Sequence, residues 1–161
     1  MVALAGTAQA TLVNLGNGTV KDTATNLIWL RDWNVNGQQN WSTQKAWADN
    51  LSFAGSDAWV LPSISQYTTL FAEFGNLTLV PQFTKVLPLR YWSGTEAHPG
   101  TSAWVFDPAT GGEVIDVESD QHFAVAVRPG DVAAPVPEPQ TLSLVLLALS
   151  AAVVGRRRRP A

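Results

Sequence analysis

The sequence predicts an α+β domain, with two helices set among the strands of an antiparallel sheet and joined by long loops. Three observations predict it. Short apolar runs bounded by turn formers read as strands, and two stretches carry apolar residues at helical spacing. About 135 residues precede a tail of different composition, the usual size for one domain around one core.

From Thr19 to Arg31, Thr-Val-Lys-Asp, Thr-Ala-Thr-Asn and Leu-Ile-Trp-Leu-Arg read as strand, polar turn and strand, a hairpin. Asp32 to Gln39 is rich in turn formers and forms a loop. Ser42 then serves as N-cap of a helix with apolar positions at Ala46, Trp47, Leu51 and Ala54, closed by Gly55. Trp59-Val60-Leu61 is a short strand halted by Pro62. Ser63 and Gln66, three apart, form a capping box for a second helix. That helix carries Ile64, Tyr67, Leu70, Phe71 and Phe74 on one side and stops at Gly75. Asn76 to Leu89 reads as a long loop with one short helical turn. Arg90 to Ser93 and Ala103 to Phe106 are strands flanking the loop Glu96 to Gly100, and Asp107 to Gly112 is a turn. Glu113 to Val117 returns as a strand, and His122 to Arg128 is the last, with Phe123, Val125 and Val127 on one face. The domain spans 16–130, and residues 131–140, with three prolines, form an extended linker. No internal repeat is visible.

Cysteine is absent, so disulfides and thiolate chemistry are excluded. Seven tryptophans in so short a chain supply apolar surface in place of crosslinks. Four of the ten basic residues are Arg156 to Arg159, and outside that run six basic residues face thirteen acids, a balance of −7. Such a surface repels phosphate backbones, so nucleic acid is not an expected partner, whereas the charge leaves neutral glycans and cations open as partners.

Residues 1–10 end in Ala8-Gln9-Ala10, the small-x-small pattern of a signal-peptidase site, after the short apolar piece Val2 to Gly6. With no basic start, they read as the remnant of a secretory signal whose true beginning lies upstream. At the other end, Val136-Pro137-Glu138-Pro139 is followed by an apolar run over 142–154 and then by Arg156, Arg157, Arg158 and Arg159. Four arginines after an apolar stretch resist translocation and stay on the cytoplasmic side. The run spans about 20 Å as a helix against a hydrocarbon core of about 30 Å, so it makes a transient anchor at best. This order of parts over 137–161 closely resembles the PEP-CTERM sorting signal. The resemblance implies that an exosortase-type membrane protease removes the tail as the protein leaves the inner membrane of a Gram-negative bacterium. It further implies an exported product at the cell surface or in an exopolysaccharide matrix.

Within the domain, landmarks fall in a recognisable order: Val20-Lys21-Asp22 with Ala24 to Trp29, Trp41-Ser42 with the Ala46 to Leu51 helix, and Trp59 to Ser63. Tyr91 to Thr95, Ala103 to Phe106 and Val125 to Arg128 follow. Together they resemble the Lcl C-terminal-like domain, a bacterial family named for the end domain of a collagen-like adhesin. The resemblance implies a C-type-lectin-like fold, with two helices, a twisted antiparallel sheet and long loops near one end; formylglycine-generating enzymes are relatives by fold. The family's Trp-Arg-Leu-Pro motif and early helical acid are replaced here by Val60 and Gln66, so that ion pair is lost.

The enzyme relatives use cysteine or histidine metal chemistry, which a chain without cysteine and with only His98 and His122 does not reproduce. Nucleophile elbows, zinc-protease helices and phosphate-cradling glycine loops are also missing, so a non-enzymatic role is expected. Asp116, Glu118 and Asp120 alternate and, on a strand, would line one face. They are the candidates for a structural calcium, and paired acids of this kind also serve in glycoside hydrolysis, the enzymatic alternative. The sugar-binding motifs Glu-Pro-Asn and Trp-Asn-Asp are absent. Trp33 and Trp41 flank an Asn- and Gln-rich loop and are the candidates for stacking on a polysaccharide, while core packing accounts for the other tryptophans. The expectation is an exported binding domain for an extracellular polysaccharide, with an enzyme or a ligand-free matrix component as alternatives.

Overall fold

A computed structural model describes residues 10–131 and shows the expected α+β class, with the antiparallel strands divided between two sheets. The signal remnant, the proline-rich linker beyond Asp131 and the apolar run 142–154 lie outside the described residues. Among the described residues no helix is long and apolar enough to cross a membrane.

The first sheet begins with β1 (Leu12–Asn14), which lies against the predicted hairpin of β2 (Thr19–Asp22) and β3 (Leu27–Leu30). Only Leu12 of β1 is buried, so no alternation marked that strand. The hairpin turn is tied by Asp22, whose carboxylate accepts from Ala24 N at 2.9 Å and Thr25 Oγ1 at 2.5 Å. Asn26 takes φ 55° there, a conformation that asparagine tolerates. Its carbonyl accepts from Gly130 N at 2.7 Å, and a Cβ on Gly130 would lie 2.6 Å from that oxygen. Glycine is therefore required where the end of the domain closes on its start.

Two capped helices follow. Helix α1 (Trp41–Asp49) is capped by Asn40, whose Oδ1 accepts from Thr43 N at 2.9 Å, and ends at Asn50, short of Gly55. Ser42 lies inside the first turn and donates to Asn40 Oδ1 instead. Helix α2 (Ile64–Phe74) opens on the predicted reciprocal box: Gln66 N donates to Ser63 Oγ and Ser63 N to Gln66 Oε1. It ends at Gly75, with φ 69°. The expected single turn within Asn76 to Leu89 is a 3₁₀ turn at Leu77–Leu79.

The second sheet has the order β4 (Tyr91–His98), β5 (Ser102–Phe106), β6 (Glu113–Val117). Strand β4 runs through most of the predicted Glu96 to Gly100 loop. Irregular register at Glu96 keeps it paired to His98, where Thr101 N donates back to the His98 carbonyl at 3.0 Å. The final segment also departs from expectation. His122 and Phe123 make single bridges, and only β7 (Val127–Pro129) is a strand, on the open side of β3. Phe123 to Arg128 are all buried because the segment passes from a bridge with Tyr91 to the ladder with β3, leaving no solvent face to alternate. Trp59 to Leu61 likewise contributes one bridge, Val60 to Val127.

The core is aromatic. Trp29 and Trp33 stack with centroids 6.0 Å apart at 12°, and Trp33 meets Tyr91 edge-on at 5.4 Å. Tyr67 of α2 stacks on Phe106 of β5 at 4.8 Å. Offset and edge contacts of this kind add to the area term that burial supplies.

Candidate functional site

Both tryptophans predicted to stack on sugar face inward. Trp33 is 0 % exposed, enclosed by Trp29, Tyr67, Phe83 and Tyr91. Trp41 is 7 % exposed, and its Nε1 donates to Ser93 O at 2.8 Å. The cause is the loop between them, which is pinned at both ends. Asp32 bridges Thr84, and Gln39 bridges His122. Gln44, fully buried on α1, holds its middle by donating to Gly37 O and His122 O and accepting from Asn36 Nδ2. Neither indole offers a face to a ligand, which corrects the sequence-based expectation.

The acidic trio is also rearranged. Strand β6 ends at Val117, so the alternation that would align Asp116, Glu118 and Asp120 is broken by a turn. Glu118 N donates to Thr101 O, and Glu118 O accepts from Trp41 N. Asp116 and Asp120 are joined instead by His122, with one ligand atom of each lying within 4.8 Å of the others. Asp116 Oδ2 accepts from His122 Nε2 at 3.0 Å and from Arg90 Nη1 at 3.1 Å, and the Trp92 ring meets His122 edge-on at 4.8 Å. A calcium ion here would have to displace both donors from that oxygen. The geometry is that of a strut linking β6, the residue before β4 and the His122 bridge.

Burial raises the Asp116 carboxyl, but hydrogen bonds with His122, the Val117 N–H and Asp120, and the charge of His122, outweigh it and hold the group below its usual range. A depressed folded value stabilises the fold above the unfolded value of 3.8 and loses that contribution as pH falls through the folded one. Asp116→Asn is therefore expected to lower the urea midpoint at pH 7, with the gap from wild type closing below about pH 4. A gap independent of pH would contradict this.

A pocket that no local pattern announced lies at the end of β3. It holds about 240 Å³ and is lined by Leu30, Val35, Leu51 and Phe53, with Arg31, Asp32 and Thr84 supplying polar groups and Gly18 closing one side. Ligand sites for larger molecules run to about 300–1,000 Å³, so this one suits a single ring. Phe53 is 39 % exposed and stands on a tight turn: Phe53 N donates to Ser56 O and Ser56 N to Phe53 O, across Ala54 at φ 50° and Gly55 at φ 77°. The buried Trp59 indole fixes that turn by donating to Phe53 O and Ser56 O, both at 3.1 Å. Gly18, at φ 84°, leaves room for the ring: a Cβ there would lie 2.8 Å from Phe53 Cζ. Opposite, Trp33 N donates to Thr84 O and Thr84 N to Arg31 O, which positions Arg31, Asp32 and Thr84 together. Asp32 Oδ2 accepts from Lys85 at 2.6 Å, and Arg31 Nε donates to Gln82 O at 3.3 Å. The available sequence signal was an aromatic residue placed just beyond a helix end and before a glycine turn, outside any buried period.

Comparison with known families gives two matches. Residues 18–128 match the Lcl C-terminal domain, and residues 135–159 match the PEP-CTERM protein-sorting motif. No curated protein matches the chain.

Proposed function

Because this chain belongs to the Lcl C-terminal domain family and carries a PEP-CTERM protein-sorting motif, we propose that it is a non-enzymatic binding domain for an extracellular polysaccharide. The motif marks it as exported toward the cell envelope or surface and sorted by an exosortase. In this reading the apolar run 142–154 holds the precursor in the inner membrane only until the tail is removed, and the domain then works outside.

The observation that carries the binding assignment is the Phe53 pocket. It pairs one half-exposed aromatic ring with donors and acceptors from Arg31, Asp32 and Thr84, which is the chemistry that holds a neutral sugar: an apolar face stacks and hydroxyls hydrogen-bond. Lys85 offsets the Asp32 charge without removing its acceptor oxygens. A non-enzymatic role is supported by Asp116, whose Oδ2 is held by the Arg90 guanidinium and the His122 ring rather than open to a substrate.

The test is a glycan array probed with the extracellular product. Phe53→Ala is expected to weaken binding to neutral glycans by about tenfold or more, equivalent to roughly 1.4 kcal/mol. Val60→Ala, which alters an apolar residue 45 % exposed elsewhere, should leave it unchanged. Equal binding by wild type and Phe53→Ala would remove the pocket from the account. Retention of no glycan at all would favour a structural matrix component.

A further inference from the structure

Strand β6 is the open edge of the second sheet, and Val114, Ile115 and Val117 on it are 40 %, 46 % and 51 % exposed. The ladder fixes which backbone groups face outward. Glu118 N donates to Thr101 O at one end of the β5–β6 pairing and Asp107 N to Gly112 O at the other. Hydrogen-bonded pairs alternate between these ends, so Asp116 and Val114 bond inward to Ala103 and Val105. Glu113, Ile115 and Val117 turn their N–H and C=O groups away from β5. Val117 is already satisfied, since its N–H donates to Asp116 Oδ1 at 3.0 Å and its C=O accepts from Asp120 N at 2.9 Å. Glu113 and Ile115 are left with open groups among the described residues.

We propose that β6 pairs antiparallel with β6 of a second copy of this chain, with the two-fold axis at Val114. In that register Glu113 of each copy bonds Ile115 of the other, which satisfies every open group on both edges. Val114 packs against its own counterpart, the cross-strand apolar contact that stabilises sheets. Asp116 falls opposite Gly112, and Glu113 opposite Ile115, so no carboxylate of this acidic domain directly faces another. The Asp116 charge is further offset by Arg90, 3.1 Å away. A longer foreign strand finds no more to bond, because Asp116 and Asp120 close the edge at Val117. The two-residue opening fits this self-pairing, and the two sheets of three strands become one of six.

The native chain contains no cysteine, so single introduced thiols report the register directly. The full chain is kept in detergent micelles to accommodate its tail. Under mild oxidation Val114→Cys is expected to give a covalent dimer, because directly opposed residues of this kind stand about 4.5 Å apart at Cα, within disulfide reach. Glu113→Cys alone should not, its two copies lying diagonally at about 7–8 Å, but an equimolar mixture of Glu113→Cys and Ile115→Cys should. In sedimentation, Ile115→Lys is expected to weaken self-association about tenfold or more, since an edge lysine opposes strand addition. Near-UV circular dichroism of the tryptophans confirms that the variant is folded. Equal crosslinking by Glu113→Cys and Val114→Cys, or a sedimentation profile that Ile115→Lys leaves unchanged, would overturn the proposal.

Discussion

Trp33→Ala is expected to cost the domain about 3–5 kcal/mol of unfolding free energy, the range for truncating a large buried aromatic. Trp33 is 0 % exposed and touches four other aromatic rings from β3, α2, the long loop and β4, so its loss opens a cavity at the junction of both sheets. A domain of this size has about 5–15 kcal/mol in all, so the variant should unfold at a much lower urea concentration. Leu79→Ala, at a residue 77 % exposed, should change stability by no more than about 0.5 kcal/mol. If Trp33 were instead a stacking platform, its removal would abolish glycan binding and leave the urea midpoint near that of wild type. Urea titration followed by far-UV circular dichroism separates the two outcomes.

The second large effect is expected at the tail. Replacing Arg156, Arg157, Arg158 and Arg159 together by glutamine should reduce the amount of tail-cleaved protein outside the cell about tenfold or more, because each arginine costs roughly 2.5–3.5 kcal/mol to bring to the bilayer centre. In the proposed reading that cost stops the apolar run partway and presents the Pro137-Glu138-Pro139 segment to the protease. Without it, a run of about 20 Å lacks the length and the charge to halt in a bilayer of about 30 Å. Immunoblotting of membrane and extracellular fractions reads the result. Normal yield of cleaved product from the glutamine variant would show that the arginines do not set the stop.

What could be read from the sequence was what local chemistry determines. The Thr19 to Arg31 hairpin, the Ser63 and Gln66 box, Gly75 as a stop and the order of the tail all rest on neighbours within a few residues. Features set by distant contacts were not legible. His122 to Arg128 showed a faint alternation, but the structure buries both sides of it between elements far apart in the chain. Trp33 and Trp41 sat among polar residues, and only the bridges to Thr84 and His122 decide that they turn inward. The Asp116 group needed the end of β6 to be known to within one residue, since a turn at Glu118 replaces that acid with His122. The Phe53 pocket gathers residues near positions 18, 30, 51 and 84, a set that no periodicity connects.

Intact-mass spectrometry of the surface and medium fractions tests export and sorting most directly, through the form of the protein found outside the producing cell. The expected form is a polypeptide that retains the domain through Gly130 and lacks the terminal arginines. Recovery of the chain only from the cytosol, soluble and still ending in Arg156 to Ala161, would contradict it.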